Sequence, residues 1–289
     1  MTVRRLAGSI LRACQRQCRT LQERYYRRFY SAPRVFLVNV PAVGKYRMRL
    51  RLADSPNKVK RAKGRWEKEV KAVFHQLIAP GDVVLDIGAH LGDFTMEAAI
   101  LCGGAGHVHA VELIPSFFAA LNENLSLNRF DNVTTHLLGL ADVEGTIQVA
   151  DGYGYLASPV VGGRNVMPAT AAVSTTTLDR LCLRLERVDV IKMDVEGAER
   201  KVLEGGKETF SRPPGISLVC EIHPTLLPGG AEDVARIYEF LKDRSYRIYL
   251  IPENSRDNPH IFATRRQAAP TQNLIPTEDP WDLIAWIGY

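Results

Sequence analysis

The residues most suggestive of chemistry sit in and around a glycine turn. Asp86 closes an apolar run, Gly88 and Gly92 follow at a four-residue spacing, and Glu112 ends the next apolar run about 20 residues later. A glycine turn after the first strand of a βα unit is where α/β folds take nucleotides, at the carboxyl ends of the strands. A dinucleotide site wants G-x-G-x-x-G, so that backbone N–H groups reach a pyrophosphate at a helix N-terminus. Here the spacing differs, and a carboxylate at the strand end would repel a pyrophosphate. A nucleoside carrying an ammonium and a sulfonium but no phosphate, S-adenosylmethionine, suits Asp86 better. Glu112 stands where an acidic residue holds ribose hydroxyls, a device shared by both ligand classes. His90, inside the turn, faces such a ligand through its backbone or ring, or is an ordinary surface turn residue.

A second group lies farther on. Asp194 and Glu196 sit just past the expected strand 188–193, and Glu221 and His223 end the next one, 217–221. In a parallel sheet these ends open on the same side as Asp86 and Glu112. Methyl transfer to an alcohol needs alignment and a group to take the hydroxyl proton. His223 is the expected base because an imidazole titrates nearest neutrality. Asp194 is second, and Glu196 either joins the site or caps the helix beginning near Gly197. Glu199 reads as a helix-face charge and Lys192 as a strand residue with its amine at the edge. Carboxylates plus an imidazole at Asp194, Glu221 and His223 would suit several metals, but the spacing is not diagnostic, and no metal is expected.

These residues need strands and helices to hold them. From Gly81 onward, strands alternate with helices, the pattern of a largely parallel sheet covered on both faces. Seven strands are expected, at 83–87, 108–111, 133–137, 188–193, 217–221, 246–251 and 260–263. Helices are expected at 93–101, 115–128, 198–205 and 232–244. Pro115 suits a first helical turn and Gly205-Gly206 a helix end. Glu144-Gly145 signals a hairpin, and the Gly- and Pro-rich run 151–168 is an expected acceptor-binding lid. Upstream, 34–52 alternates like strands, 54–63 reads as a polar basic loop, and 66–77 as a helix.

The segment Val84-Leu85-Asp86-Ile87-Gly88-Ala89-His90-Leu91-Gly92-Asp93-Phe94-Thr95 resembles the first motif of FkbM-type methyltransferases. Thr176-Thr177-Leu178-Asp179 and Ile191-Lys192-Met193-Asp194-Val195-Glu196-Gly197-Ala198-Glu199 resemble two further motifs of that family, in the same order and spacing. The resemblance runs from about Gly81 to Pro252, the size of one domain. One departure is His90, where asparagine is commoner. The resemblance implies a Rossmann-like class I methyltransferase fold: α/β, with a mostly parallel seven-stranded sheet and helices on both faces. It also implies S-adenosylmethionine as cofactor and O-methylation of a hydroxyl on a sugar, glycolipid or secondary metabolite. The cofactor-binding set is then Asp86, Gly88, His90, Gly92 and Glu112, with Ala141 and Asp142 placed near the adenine. Asp142 opening a turn before Gly145 is an equal alternative.

Charge is unevenly shared. Residues 1–71 hold about 20 of the 37 Lys and Arg but about 4 of the 32 Asp and Glu, leaving the rest of the chain acidic. Apolar residues from Val3 to Tyr25 recur at three- and four-residue steps between arginines, a basic amphipathic helix over 1–33. It forms a helical N-terminal extension that docks on the main domain, lies on an anionic membrane surface or serves as a targeting segment. The expected organisation is that helix, an extension at 34–80, the methyltransferase-like domain at 81–266 and a tail at 267–289. Five cysteines, odd in number, argue against a disulfide framework, and no apolar run reaches the ~18 residues of a membrane span. A cytoplasmic protein, peripheral at a membrane if the helix docks there, is expected. Two other readings stand beside the hydroxyl acceptor: an RNA or protein methyltransferase docked by the basic N-terminus, and a noncatalytic nucleotide-binding scaffold. Nothing in the sequence fixes an oligomeric state.

Overall fold

The structure, a computed structural model, describes residues 32–51, 56–151, 158–159, 170–185, 187–252, 258–266 and 274–287. The expected helix at 1–33 falls almost wholly outside them. The described residues divide into two compact units, one ending at residue 40 and taken up again over 45–66, the other of 41–44 and from 67 onward.

In the first unit, β1 (Arg34–Val40) and β2 (Gly44–Leu50) pair as the alternation predicts. Val38, Val40, Tyr46, Met48 and Leu50 are buried, while Lys45, Arg47 and Arg49 point outward. The segment predicted as a polar loop instead contains α1 (Pro56–Ala62), a correction. Its Lys60 and Arg61 lie 5.9 and 4.8 Å from the Trp66 ring centroid, contacts that favour a helix its composition alone does not.

The second unit runs α2 (Lys68–Leu77), β3 (Val83–Ile87), α3 (Asp93–Cys102), β4 (His107–Glu112), α4 (Pro115–Ser126), β5 (Val133–Leu137), β6 (Gly139–Leu140) and β7 (Gly145–Ala150). It continues with β8 (Ser158–Pro159), β9 (Ala171–Thr176), α5 (Leu178–Cys182), β10 (Val190–Met193), α6 (Glu199–Glu204), α7 (Lys207–Ser211) and β11 (Ser217–Glu221). It closes with α8 (Ala231–Lys242), β12 (Arg247–Ile251), β13 (His260–Thr264), β14 (Ile275–Thr277) and α9 (Pro280–Ile287). Eight strands form one sheet in the order β14-β12-β13-β11-β10-β3-β4-β5. The five from β11 to β5 are parallel; β13, β12 and β14 join antiparallel. All seven predicted strands are present. The eighth, β14, comes from the segment predicted as a tail outside the domain, and Ile284 of α9 is buried in the same core.

The strands are apolar on both faces because both are covered. Leu85, Ile191 and Leu218 pack against Leu178, Val202, Phe210, Val234 and Ile237 of α5 to α8. Their neighbours Val84, Val190 and Val219 pack on the other face against Val70, Phe74, Phe94 and Ala98 of α2 and α3. The chain winds from β3 outward to β5, then returns to β10 on the other side of β3. That reversal puts the switch point of the sheet at the carboxyl ends of β3 and β10, the place where doubly wound sheets take ligands.

A second, four-stranded sheet has the order β6-β9-β7-β8. Because β9 lies between β6 and β7, the turn at Glu144-Gly145 joins strands that do not pair, and no hairpin forms there. Most of the predicted lid lies outside the described residues. Among the described residues, no helix is long and apolar enough to cross a membrane.

Candidate active site

The turn between β3 and α3 is held by its own backbone and by its neighbours. The N–H groups of Gly88 and Ala89 both donate to the Val111 carbonyl, at 2.9 and 3.0 Å, and Asp194 N–H donates to the Ile87 carbonyl at 2.9 Å. Gly88 has φ 79°, and a Cβ there would lie 1.8 Å from the Asp194 carbonyl oxygen. Only glycine meets both demands. Gly92 also lies in the left-handed region, as does His90 at φ 51°. His90 is oriented by its own N–H, which donates to Glu112 Oε2 at 2.7 Å, and by an edge-on ring contact with Phe117 at 4.3 Å.

Glu112 accepts a second bond from Ile114 N–H at 2.8 Å. Burial pushes its carboxyl up to about 7, against the pull of those two amides and Lys192. Each oxygen keeps a further lone pair. Asp86 is fully buried: Thr95 Oγ1 donates to its Oδ2 at 2.6 Å, while Oδ1 accepts no hydrogen bond and lies 3.9 Å from Lys192 Nζ. Burial raises its pKa despite Lys192 and Thr95. As placed, Asp86 secures the first turn of α3 and faces Lys192. Ala141 and Asp142 sit on the bend after β6: Ala141 N–H bonds to the Thr176 carbonyl at 3.0 Å, and Asp142 is exposed.

Lys192 corrects its expectation. It is 5% exposed, not at an edge, and its ammonium lies 3.5 Å from Asp194 and 5.0 Å from the Phe94 ring centroid. Burial opposes its charge, but Asp194 and Asp86 outweigh burial and hold its pKa above the usual lysine range. Glu199 is corrected as well: its side chain is fully buried and its Oε1 lies 2.7 Å from His223 Nδ1. Glu196 does not cap α6, since the cap position is Ala198 and Glu199 Oε1 accepts from Gly197 N–H at 3.0 Å. Burial and nearby Asp194 raise the pKa of Glu196.

His223 therefore presents Nε2 to two carboxylates, Glu221 at 3.5 Å and Asp194 at 3.8 Å. Burial works against its charge, yet Glu199, Glu221 and Asp194 push the imidazole up to about 9. Burial and Asp194 push Glu221 up to about 7. Asp194, with 30% of its side chain exposed, is the most open of the three; burial would raise its pKa, but Lys192 and His223 bring it below the usual value. His260, cross-strand from Glu221, stands 3.5 Å from Glu221 Oε2. Thus β3, β4, β10 and β11 bring Gly88, Glu112, Asp194 and His223 together at one end of the sheet. Sequence reasoning missed Thr95, His260 and the burial of Lys192 and Glu199. A lysine inside the apolar run 190–193 was the available signal for one of them.

Residues 86–248 match the methyltransferase FkbM domain family. No curated protein matches the chain. Among solved structures, similar ones include Aeropyrum pernix fibrillarin with natively bound S-adenosyl-L-methionine, at 16% identity over 81% of this chain and 83% of that one, TM-score 0.46. Another is the Bacillus cereus O-methyltransferase in complex with SAH, at 14% identity over 68% and 79%, TM-score 0.44. A third is the Geobacter metallireducens precorrin-6y C5,15-methyltransferase, at 14% identity over 69% and 88%, TM-score 0.43.

Proposed function

The chain belongs to the FkbM methyltransferase family, and from that premise we propose that it moves a methyl group from S-adenosylmethionine to a hydroxyl of a sugar, glycolipid or secondary metabolite. One observation carries the reading. The Gly88 turn packs directly on the Asp194 backbone, which sets Asp194 beside that turn, with Glu112 at the end of the neighbouring strand, where the sheet reverses its winding.

The residues on the donor side fit this cofactor. Glu112 is anchored by two amides yet retains lone pairs for ribose hydroxyls, and the β3–α3 turn lacks the glycine spacing of a phosphate cradle. Gly88, His90 and Gly92 would line the nucleoside, with Ala141 and Asp142 toward the base, while Asp86 supports the turn from beneath. When bound, S-adenosylmethionine supplies an electrophilic methyl on a good leaving group, so the protein's work is alignment and proton removal.

On the acceptor side, Asp194 is the carboxylate open to an incoming hydroxyl. His223 was expected as the base, but an imidazole pushed up to about 9 carries its proton at neutral pH. We assign it instead to holding Asp194 and Glu221 in place as a cation. The hydroxyl proton then passes to Asp194, the more open of the two carboxylates. Glu196 borders the same mouth.

The test is transfer of labelled methyl from S-adenosylmethionine to a panel of hydroxylated sugars, glycolipids and polyketides, with RNA and protein alongside. Label on a hydroxylated small molecule, lost by a factor of about 100 in Asp194→Asn, is expected. Label on RNA or protein alone would overturn the acceptor assignment in favour of a macromolecule docked by the basic N-terminus.

A further inference from the structure

We propose that Asp194, Glu221 and His223, with His260 beside them, form a binding site for one first-row divalent metal ion. Each of the first three offers a ligand atom, and these atoms lie within 4.8 Å of one another. Ligands at ~2.0–2.2 Å from a common ion lie at most ~4.4 Å apart, so small side-chain rotations close the set.

The scaffold is rigid. Asp194 follows β10, Glu221 ends β11, and these strands pair through Met193 and Cys220. His260 opens β13 directly opposite Glu221. The orientation of His223 is the stronger sign. Glu199 engages its Nδ1 at 2.7 Å, which leaves Nε2 to face the two carboxylates. A carboxylate behind one ring nitrogen, with the other nitrogen aimed at a gap between ligands, is how metal-binding histidines are held.

Charge points the same way. Glu199 is fully buried and its Oε2 accepts no hydrogen bond. The carboxylate behind His223 therefore has one oxygen that no hydrogen bond from the protein satisfies. Lys192 is already committed to Asp86 and Asp194. When the ion is bound it takes the place of the proton on Nε2, and the ion, no longer the imidazolium, then holds Asp194 and Glu221 together. Mixed imidazole and carboxylate ligands favour ions such as Mn²⁺ or Zn²⁺ over an all-oxygen ion such as Mg²⁺.

The ion's role, though not its binding, rests on the methyl-transfer reading. A coordinated acceptor hydroxyl is more acidic. Its proton passes to the Asp194 oxygen not engaged by the ion. The oxygen then forms its bond to the methyl carbon as the carbon–sulfur bond breaks, and sulfur keeps the electron pair. Glu199 is a positioning residue in this scheme.

The experiment uses full-length protein freed of metal by chelator dialysis. Mn²⁺ and Zn²⁺ are titrated calorimetrically without donor or acceptor, and bound Mn²⁺ is followed by electron paramagnetic resonance. One ion per chain is expected. Glu221→Gln, isosteric and gentle on the fold, and His223→Gln should each weaken binding at least about tenfold, and Glu199→Gln by ~10–100-fold. S-adenosylhomocysteine is titrated into every variant as a separate measure of the folded donor side. Absence of binding by either ion, or binding unchanged in both Glu221→Gln and His223→Gln, overturns the proposal. Metal binding without S-adenosylhomocysteine binding would keep the metal site and sink the donor reading.

Discussion

Replacing Gly88 with alanine strikes the point where β3 and β10 meet. The new Cβ would lie 1.8 Å from the Asp194 carbonyl oxygen and 2.9 Å from its carbon, where ordinary contact begins at 3.4 Å. The two backbones must part by roughly 1.6 Å, because neither atom is the movable end of a side chain. The left-handed φ of 79° adds about 1–2 kcal/mol for a residue with a Cβ. Overpacking contributes about 1–3 kcal/mol, and weakening the Asp194 N–H bond to Ile87 about 1 kcal/mol. A loss of roughly 3–6 kcal/mol follows, read by urea unfolding. A shift of that size at Asp194 also predicts methyl transfer slowed about 100-fold with donor saturating. Gly92→Ala is the control for stability: it carries the same left-handed strain, at φ 90°, but its Cβ meets Leu121 Cδ1 at 2.7 Å, a side-chain end that can move, so a loss of only about 1–2 kcal/mol is expected. A Gly88→Ala protein within about 1 kcal/mol and about threefold of wild type would refute the reasoning.

Three further outcomes follow from the same geometry. Lys192→Met leaves Asp86 and Asp194 without their shared counter-charge and should destabilise by about 3–5 kcal/mol, with partial recovery in Lys192→Met/Asp86→Asn; a denaturation midpoint close to wild type would contradict this. Glu112 has a folded pKa of about 7, above its ordinary 4.5, so its protonated form favours the folded state. That contribution is lost as pH rises through about 7, whereas ribose binding, which wants the carboxylate, should strengthen up to roughly tenfold between about pH 6 and pH 8. Calorimetry with S-adenosylhomocysteine checks this, and Glu112→Gln should flatten the dependence; a flat wild-type profile would count against it. Truncation after Arg266 removes β14 from the β12 edge, the Tyr238 hydroxyl bond to the Thr277 carbonyl at 3.0 Å, and buried Ile284. It should cost at least about 2–5 kcal/mol in urea unfolding, and an unchanged midpoint would show the tail to be dispensable.

The elements legible in the sequence were those written in local pattern. Short apolar runs closing on Asp86, Glu112, Asp194 and Glu221 marked the carboxyl ends of four strands, with Asp86 one residue inside β3, and parallel topology put all four ends on one side of the sheet. What escaped was non-local. Glu199 reads as a helix-face charge because its partner His223 lies far along the chain, and Lys192 as an edge amine because Asp86, which with nearby Asp194 holds it inside, is likewise distant. The β14 strand is three residues long with Pro276 in its middle, too short for alternation to show and tolerated because it lies at an edge. The Glu144-Gly145 turn has hairpin chemistry, yet β9, from beyond residue 170, inserts between its strands. Thr177-Leu178-Asp179 matched as a motif, but its physical work appeared only in three dimensions. Thr177 accepts from Arg180 N–H at the start of α5, and Asp179 accepts from the Glu208 and Thr209 amides that open α7.

The central claim is that the switch point at β3 and β10 takes S-adenosylmethionine, with Glu112 on the ribose. Calorimetric titration of S-adenosylhomocysteine into the wild-type chain and Glu112→Ala, with NADH in parallel, tests it most directly. One site per chain, weakened by about 1–3 kcal/mol in the variant, and no NADH binding is the predicted result. NADH binding more tightly than S-adenosylhomocysteine, or affinity indifferent to Glu112, would contradict it.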